Sequence, residues 1–384
     1  MTPGGTRGTS VTLCRDPEAF AALGLEWERL HGSCATATPF QSHAWLHSWW
    51  LSYGTKGRLR VVLVRHDGRL IAAAPLMLAH GPLPLLVPLG GEISDYCDIL
   101  VDGRHMRTAV AALERGLGQA ARHAVIDLRE VRPGAAAERL YESWKGARAR
   151  LADSVCMELP AAPIGELAKR MPSGQAQRVR AKLRKIDALK IEAHAVPEPE
   201  VASAVAHLLR LHELQWRGRG VNVEHLRPRF AAHLVRATRA MMRRDEAALT
   251  EYRMDGEVVA AGLSLRSEHL AGGYLYGADP GLRDKKVDVA TMLLRHDAQQ
   301  AADEGRGVLS LLRGAEPYKN HWRPETVTNQ RLLLARPSLE PLLRLHEARA
   351  RLRERAAGAV RDRLPAARSR RPARPRRRPT RAPP

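Results

Sequence analysis

The spacing of apolar residues predicts alternating helices and strands. Apolar side chains recur every three or four positions over 17–30 and again after Ser42, a typical N-cap residue, so we expect two helices there. The period changes over 59–78, where two strand-like runs meet at Asp67-Gly68, a dipeptide typical of tight hairpin turns. The next elements are predicted to be a strand at 96–101, a helix at 105–121 and a strand at 124–131.

The second half of the chain repeats this order. Helical patterns over 200–217 and 228–243 precede a second hairpin, which turns at Asp255-Gly256. Each turn glycine is followed by one residue, two aliphatic residues and Ala-Ala. A strand at 272–279, a helix at 287–303 and a strand at 308–314 complete the series. Because the same elements recur in the same order, the sequence indicates an internal duplication.

The two copies also end alike, on Leu128-Arg129 and Leu312-Arg313. The arginines lie 61 and 57 residues after their turn glycines. We therefore predict an α/β fold with a mixed sheet in two tandem domains. The predicted division is an N-terminal domain at 10–160, a linker at 161–192, a C-terminal domain at 193–336, and an Arg/Pro-rich helix and tail at 337–384.

The linker contains a basic helix that begins near Ser173. It carries six positive residues against one Asp and has a narrow apolar stripe. Such a pattern is typical of a solvated helix that lies across both domains, and it also suits a helix that holds an anionic substrate. The sequence leaves both interpretations open.

The charge is unevenly distributed. The net charge is +21, and residues 361–384 contribute ten Arg and one Asp to it. Prolines and like charges prevent the segment at 368–384 from forming a packed core, so we expect it to be disordered and the tail to be available to an anionic polymer. The remaining basic charge is weak evidence for nucleic-acid binding.

Several classes of protein are excluded by what the sequence lacks. The four cysteines are scattered and include no C-x-x-C pair, which argues against a zinc site or disulfide framework and fits a reducing compartment. The histidines show no metal-ligand spacing, so no metal is implied. With no secretory signal and no apolar run long enough to span a bilayer, we expect a cytoplasmic protein without a transmembrane segment.

A phosphate site is suggested by the start of the helix at 287–303. Free N–H groups and the helix dipole favour anions there, and Lys285 and Lys286 directly precede it. Two lysines in this place are also compatible with an ordinary loop. The first copy has Arg104, His105 and Arg107 at the equivalent turn, and nothing in the sequence excludes it as a second site.

Three segments resemble a known family. PFQSHAWLHSWW, GGEISDYCDILV and especially LLRGAEPYKNHW at 311–322 are similar to GNAT-like bacterial acetyltransferases associated with cellulose biosynthesis (CelD/BcsL-like). The resemblance covers roughly 10–335. It implies tandem GNAT-type domains, of which the second binds acetyl-CoA or another acyl-CoA as co-substrate and transfers the acyl group to an amine, such as that of an amino sugar in surface polysaccharide synthesis.

The resemblance also implies site residues. The cofactor would lie against Tyr276, Gly277, Lys285, Lys286, Val287, Asp288, Val289 and Ala290. Relatives usually carry Gly or Ser-Pro-Gly at this turn, whereas this chain has Lys286-Val287-Asp288, so Asp288 is expected to repel a pyrophosphate. Backbone N–H groups over 273–278 are the expected oxyanion donors.

The catalytic candidates are Tyr318 as proton donor and Glu316 as base, acting directly or through a water molecule. Lys319 would orient a carboxylate or phosphate, and the remaining candidate contacts to substrate are Asp95, Tyr96 and Trp322. A structural interpretation is also open, in which Tyr318 and Trp322 fill the core, Glu316 pairs with Arg313, and Asp95 and Tyr96 are turn residues at a strand entry.

Two other functions remain open. The tandem layout is also similar to the peptidoglycan aminoacyltransferases, which use aminoacyl-tRNA, and the basic linker helix and tail would then contact phosphates. The altered glycine turn would suit a non-catalytic binding protein of the same fold.

Overall fold

The structure is a computed structural model that describes residues 8–218 and 222–363. The described residues up to Leu343 form one compact unit, and those from Arg344 onward form a second. The described part of the second unit is helical, and within it Arg344 and Arg351 pair with Glu347 at 3.0 and 2.6 Å. The segment at 368–384, which we expect to be disordered, lies outside the described residues.

The first half contains seven strands and five helices within 8–160. The strands are β1 (Thr9–Cys14), β2 (Leu59–His66), β3 (Arg69–His80), β4 (Pro84–Pro88), β5 (Leu100–Val101), β6 (Val125–Val131) and β7 (Ala147–Pro160). The helices are α1 (Pro17–Ala21), α2 (Gly24–Gly32), α3 (His43–Tyr53), α4 (Met106–Ala120) and α5 (Ala136–Ser143).

The rest of the described chain contains six further strands and eight helices. The strands are β8 (Glu192–Ala195), β9 (Ala247–Met254), β10 (Glu257–Arg266), β11 (Leu270–Ala278), β12 (Val308–Arg313) and β13 (Glu325–Ala335). The helices are α6 (Ile164–Lys169), α7 (Ser173–Ala188), α8 (Val201–Trp216), α9 (Pro228–Met242), α10 (Gly281–Asp284), α11 (Val289–Asp303), α12 (Pro317–Asn320) and α13 (Glu340–Arg363).

All the strands belong to one mixed sheet whose order reflects the duplication. The order is β1-β2-β3-β4-β6-β13-β7-β12-β11-β10-β9-β8, with β5 beside β3. In each half three antiparallel pairings are followed by one parallel pairing, β4 with β6 and β11 with β12. The expected α/β fold with a mixed sheet and two related halves is therefore present.

The two hairpins agree in detail. Asp67 and Asp255 have φ of 49° and 54°, and the following glycines have φ of 80° and 84°. These left-handed values explain the choice of Asp-Gly, because glycine and aspartate tolerate this region best. The register slips at the same place in both copies, so that Ile71 and Val259 each form a bulge three residues after the turn glycine.

The last strand of each half crosses to the other half. β7 pairs antiparallel with β12, β13 pairs antiparallel with β6, and β7 and β13 pair with each other in the centre of the sheet. This exchange joins the halves through backbone hydrogen bonds.

The prediction of a strand at 96–101 is wrong except for the last two residues, which form β5. The strand that leads to the parallel pair is instead β4, inside a proline-rich apolar segment. Prolines argue against a strand, but β4 pairs with β6 over two residues and needs few ladder bonds there. Residues before β5 are held by the buried Asp98, which accepts N–H bonds from Ala136 and Ala137 at 2.9 and 2.8 Å.

The basic helix α7 packs on the second half. Its apolar residues Ala176 and Val179 are buried with residues of α11 and β12. Two ion pairs also join α7 to the α11 region, Lys182–Asp288 at 2.5 Å and Asp187–Arg295 at 2.6 Å. α7 therefore stands beside the beginning of α11, where the sequence analysis placed the phosphate site.

Candidate active site

The second half contains a cleft where β11 and β12 separate. Among the described residues their pairing is limited to Leu270–Gly272 with Val308–Ser310. Gly272 and Gly273 lie at the point of divergence, and a Cβ on them would come within 2.9 Å of the Ser310 carbonyl oxygen and 2.8 Å of Asp297 Oδ2. At Gly272 the close atom belongs to the backbone, so a side chain does not fit there, whereas at Gly273 it is the end of the Asp297 side chain.

We call this space the inner cleft. Its lining residues are Thr250, Tyr252, Gly262, Leu263, Ser264, Gly273, Leu275, Tyr276, Ala290, Leu293, Leu294, Asp297, Leu309, Ser310, Leu311, Tyr318 and Trp322. Leucines dominate the walls, while hydroxyl groups and one carboxylate stand at separate points. A largely apolar slot with a few polar groups is typical of a small-molecule site.

A second hollow lies at the start of α11 and shares Tyr276 and Ala290 with the inner cleft; we call it the mouth. It is lined by Lys182, Gln215, Tyr276, Ala278, Asp279, Pro280, Arg283, Lys286, Val287, Asp288, Val289 and Ala290. Lys286 has a left-handed φ of 55°. Three basic side chains and the amino end of a 15-residue helix therefore converge on one hollow, which suits a phosphate group.

Asp288 does not present a free negative charge to the mouth. It is the N-cap of α11, and its Oδ1 accepts the N–H of Thr291 at 3.0 Å. Its Oδ2 pairs with Lys182 Nζ from α7. Burial would raise the pKa of this carboxyl, but Lys182 and the Thr291 N–H outweigh burial and lower it. The repulsion expected from Asp288 is thus balanced by a lysine of the basic helix.

Two of the expected cofactor residues point elsewhere. The ammonium group of Lys285 lies 3.8 Å from Met254 Sδ, and Lys285 does not line the mouth. Gly277 faces α8, where a Cβ would lie 2.2 Å from the amide nitrogen of His212. Gly277 is therefore explained by the close packing of a helix on β11.

Tyr318 on α12 reaches the inner cleft. Its ring lines the cleft with Trp322, and burial raises the pKa of its hydroxyl, with further contributions from Tyr276, Glu316 and Asp297. The hydroxyl therefore stays protonated at neutral pH, as a proton donor must. The same burial is compatible with the structural interpretation, since Trp322 is 3% exposed and belongs to the core around α7 and α11.

Glu316 and Lys319 form a compact turn after β12. The carboxylate of Glu316 lies over Gly314, which has a φ of 105°, and pairs with Lys319 Nζ at 2.8 Å. Lys319 also donates to the carbonyl oxygens of Arg313 and Gly314 at 2.8 and 3.2 Å. The three donors of this buried ammonium are thus engaged. The expectation that Glu316 pairs with Arg313 is wrong.

Arg313 instead joins the two halves. It donates to Asp95 Oδ1 at 2.5 Å and Glu130 Oε1 at 3.2 Å, and to the carbonyl oxygen of Glu92. Burial raises the pKa of Asp95 and Arg313 opposes this shift. Tyr96 is 1% exposed, and its hydroxyl contacts Glu158 Oε1 at 3.2 Å and Ser310 Oγ at 2.9 Å.

A second cavity adjoins this network, and we call it the junction cavity. It is lined by Val87, Pro88, Gly91, Glu92, Cys97, Arg129, Glu130, Asn222 and Arg313. Its walls come from the ends of β4 and β6 in the first half and from β12 and the segment before α9 in the second. Asp95 and Tyr96 support this region from beneath and are not among its lining residues.

Two histidines connect β11 to the junction cavity. His212 Nδ1 lies 2.7 Å from the carbonyl oxygen of Tyr276, and its Nε2 lies 3.1 Å from His225 Nδ1. Because a carbonyl can only accept, the proton of His212 is on Nδ1, so His225 must donate from Nδ1 and keep a lone pair on Nε2. Asn222, which lines the cavity, lies 3.4 Å from that Nε2. Burial, followed by His212, lowers the pKa of His225 to about 4.

Sequence reasoning missed Asp297, Lys182, His212 and His225. Asp297 left a signal, because it interrupts the apolar stripe of α11 between Leu294 and Ala301. The others left none, since a lysine on a basic helix and two separated histidines gain their meaning from tertiary contacts. Within residues 8–218 and 222–363 we find no group of three or more His, Cys, Asp or Glu suited to a metal ion. Over the same ranges, no helix is long and apolar enough to cross a membrane.

Comparison with known proteins identifies the type of domain. Residues 173–320 match the family model described as an acetyltransferase (GNAT) domain. This match begins at the first residue of α7 and ends at the last residue of α12, so it includes the mouth, Tyr318 and the inner cleft except for Trp322. A search of curated proteins found no match to the chain.

Solved structures share the fold over most of the chain. The crystal structure of FemX aligns with a TM-score of 0.60 at 11% identity, over 83% of this chain and 98% of that one. A conserved protein of unknown function from Bacteroides thetaiotaomicron gives 0.59 at 11% identity, over 85% and 100%. L-PGS from Bacillus licheniformis gives 0.53 at 11% identity, over 88% and 96%. At these identities the likeness is one of fold.

Proposed function

We propose that this GNAT-type acyltransferase is acyl-CoA-dependent and transfers an acyl group, acetyl in the simplest case, to the amine of a small polar acceptor. The observation that carries the proposal is that the inner cleft and the basic mouth share two lining residues, Tyr276 and Ala290. A phosphate site at the start of α11 and an apolar slot between β11 and β12 suit the pyrophosphate and the arm of one CoA molecule.

The dimensions support this placement. Gly273 at the inner end and Ala278 at the mouth are five residue steps apart on β11, about 17 Å for an extended strand. The pyrophosphate would lie on Lys286, Arg283 and the first N–H groups of α11. The thioester would then lie near Gly273, where the backbone of β11 has left β12 and can donate to a developing oxyanion.

The proposed chemistry needs a proton donor and a free amine. Tyr318 lines the cleft with a protonated hydroxyl and would supply the proton to the leaving thiolate. Glu316 remains our candidate base, since it lies close enough to Tyr276 and Tyr318 to affect their pKa values. Lys319, through its bonds to the turn, would hold Glu316 in place, and Trp322 would close the cleft floor.

The acceptor would enter through the junction cavity. Arg129, Arg313 and Glu130 offer charges of both signs there, which suits a polar molecule such as an amino sugar of a surface polysaccharide. This substrate class follows from the resemblance to cellulose-biosynthesis-associated acetyltransferases. Asp95 and Tyr96 would act by fixing Arg313 and β12. The four cysteines among the described residues are free thiols, which supports a cytoplasmic location for the reaction.

A second candidate is aminoacyl transfer from tRNA. The specific observation in its favour is α7, whose exposed Arg178, Arg180 and Arg184 have no recorded partner among the described residues and stand on the helix that supplies Lys182 to the mouth. A row of basic side chains beside the mouth suits a polyanion larger than CoA. FemX and L-PGS share the fold, and the fold alone does not favour either donor.

Titration calorimetry on the full chain separates the candidates. We expect acetyl-CoA to bind at one site, and a panel of amines that includes amino sugars to release free CoA thiol in its presence. Binding of an aminoacyl-tRNA with no binding of acetyl-CoA would replace the first candidate by the second. Binding of acetyl-CoA without thiol release for any amine would favour a non-catalytic binding protein and contradict the proposed transfer.

A further inference from the structure

A single carboxylate stands at the inner end of the cleft. Asp297 lies eight residues into α11, about 12 Å from its first residue, and faces the point where β11 and β12 separate. It lines the same space as Leu275, Leu309 and Leu311. A charged side chain at this depth is unusual, because apolar surroundings disfavour an unpaired charge.

One oxygen of this carboxylate is paired and the other is open. Oδ1 accepts the hydroxyl of Ser264 at 2.6 Å. Oδ2 points at Gly273 and would lie 2.8 Å from a Cβ there, so the absence of a side chain at Gly273 keeps this oxygen uncovered. Among the described residues no hydrogen bond to Oδ2 is recorded, and the open surface of Asp297 faces the cleft.

The neighbouring groups do not neutralise it. His296, the nearest basic residue on the same helix, directs its Nε2 to Thr250 Oγ1 at 3.3 Å. The hydroxyl-bearing rings of Tyr252 and Tyr318 line the same space. Burial raises the pKa of Asp297, and the Ser264 hydroxyl and His296 reduce this effect. Among the described residues, none of these groups forms a hydrogen bond with Oδ2.

We infer that the acyl group taken by this enzyme carries a hydrogen-bond donor, a hydroxyl or an ammonium group, near its end, and that Asp297 with Ser264 binds it. This inference rests on the proposed function, since it assumes that the thioester lies near Gly273. From there an acyl chain of three or four atoms reaches Asp297, while the leucines pack against its methylene groups. A plain apolar acyl group of the same length would leave Oδ2 buried and unpaired.

The test uses three thioesters that differ at one atom. Butyryl-CoA, 3-hydroxypropionyl-CoA and β-alanyl-CoA end in methyl, hydroxyl and ammonium and are otherwise alike. We expect the full chain to bind one or both of the donor-bearing thioesters about tenfold or more tightly than butyryl-CoA, as measured by titration calorimetry. Asp297→Asn should reduce the preference for the ammonium group about tenfold. Asp297→Leu should reverse the order in favour of butyryl-CoA.

Controls separate this inference from the proposed function. CoA without an acyl group should bind wild type and both variants equally, because the mouth is unchanged. Asp303→Asn, at the exposed end of the same helix, should leave all three affinities unchanged. If CoA binds and wild type does not discriminate among the thioesters, the acyl-group inference is wrong and the proposed donor stands. If no CoA species binds, the proposed donor is wrong as well. The wild-type panel decides the matter even if Asp297→Leu does not fold.

Discussion

The two halves share a strand order, hairpins and a pair of parallel strands that separate, yet their gaps differ. In the second half the gap between β11 and β12 leads to a mouth where Lys286 is open. In the first half the ends of β4 and β6 line the junction cavity, which is also reached by Arg313 from the other half. Arg104, at the turn equivalent to the mouth, is held by Asp102 through bonds of 3.0 and 2.8 Å.

This difference shows which parts of the duplicated unit are needed for the fold itself. Strand pairing and the Asp-Gly bulge are kept in both halves because backbone geometry requires them. The basic side chains at the start of α11 and the supporting helix α7 belong to the second half. Strand exchange makes the halves interdependent, because β12 lines the inner cleft through Leu309, Ser310 and Leu311 and the junction cavity through Arg313.

The sharpest test of this asymmetry concerns equivalent helices. Tyr318→Phe on α12 removes a hydroxyl and keeps the ring, so turnover should fall by about 10²–10⁴-fold with little change in CoA affinity or stability. Steady-state kinetics and thermal unfolding measure both. Tyr141→Phe on α5, the corresponding helix of the first half, should leave turnover unchanged. Equal effects of the two substitutions, or none from either, would contradict the assignment of chemistry to the second half.

Arg313→Met tests the contacts that Arg313 makes with the first half. It leaves Asp95 and Glu130 without their cation, and since the side chain of Arg313 is 28% exposed we expect a loss of about 2–4 kcal/mol in the free energy of unfolding. Arg129→Met is the comparison in the first half, because Arg129 is 47% exposed in its pair with Asp153 and should cost about 1 kcal/mol or less. Chemical denaturation measures both. A larger loss of unfolding free energy for Arg129→Met than for Arg313→Met would mean that Arg313 is not the main contact between the halves.

Much of the fold could be predicted from local patterns. The Asp-Gly hairpins, the helices and the order of elements follow from periodicity and turn chemistry, and these act over a few residues. β4 could not be predicted, because its prolines contradict strand propensity and its pairing with β6 is long-range. The exchange of β7 and β13 left no local signal for the same reason.

The site could be predicted less well. Lys286 and Tyr318 were found because they flank elements whose position the duplication fixes. The roles of Lys319 and Asp288 depend on contacts with carbonyl oxygens and with α7, which no sequence spacing reveals. Asp297 is the exception, since a carboxylate inside an apolar helical stripe is visible in the sequence and indicates a buried partner or a ligand.

Lys286→Glu tests whether the mouth of the second half binds phosphate. A repulsive charge at the start of α11 should raise the Kd for CoA about tenfold and reduce its dependence on salt. Arg107→Glu, in the first turn of α4, is the matched change in the first half and should leave the Kd unchanged. Titration at two salt concentrations measures both effects. If Arg107→Glu weakens binding as much as Lys286→Glu, the charge of the whole protein is responsible rather than the mouth.

The smallest expected effect is on the pH dependence of stability and concerns Glu246. This residue lies directly before β9, and Arg58 holds the equivalent position directly before β2. Burial raises the pKa of Glu246 from 4.5 to about 7, with Arg244 opposing, and its Oε2 has no hydrogen-bond partner among the described residues. The unfolded chain therefore releases this proton at lower pH than the folded chain does. The protonated Glu246 side chain therefore contributes to the free energy of unfolding below about pH 4.5, and this contribution is lost as pH rises through 7.

Glu246→Gln should remove this loss. The full shift corresponds to about 3 kcal/mol, and partial exposure of the side chain reduces our expectation to about 1–2 kcal/mol. The difference in the free energy of unfolding between variant and wild type should thus grow in favour of the variant between pH 5 and pH 8. Chemical denaturation at several pH values measures it, with Arg58→Gln as the control at the equivalent position of the first half. If the free energies of unfolding of wild type and Glu246→Gln change in parallel with pH, Glu246 ionises normally in the folded chain. The two halves would then not differ at this position in their response to pH.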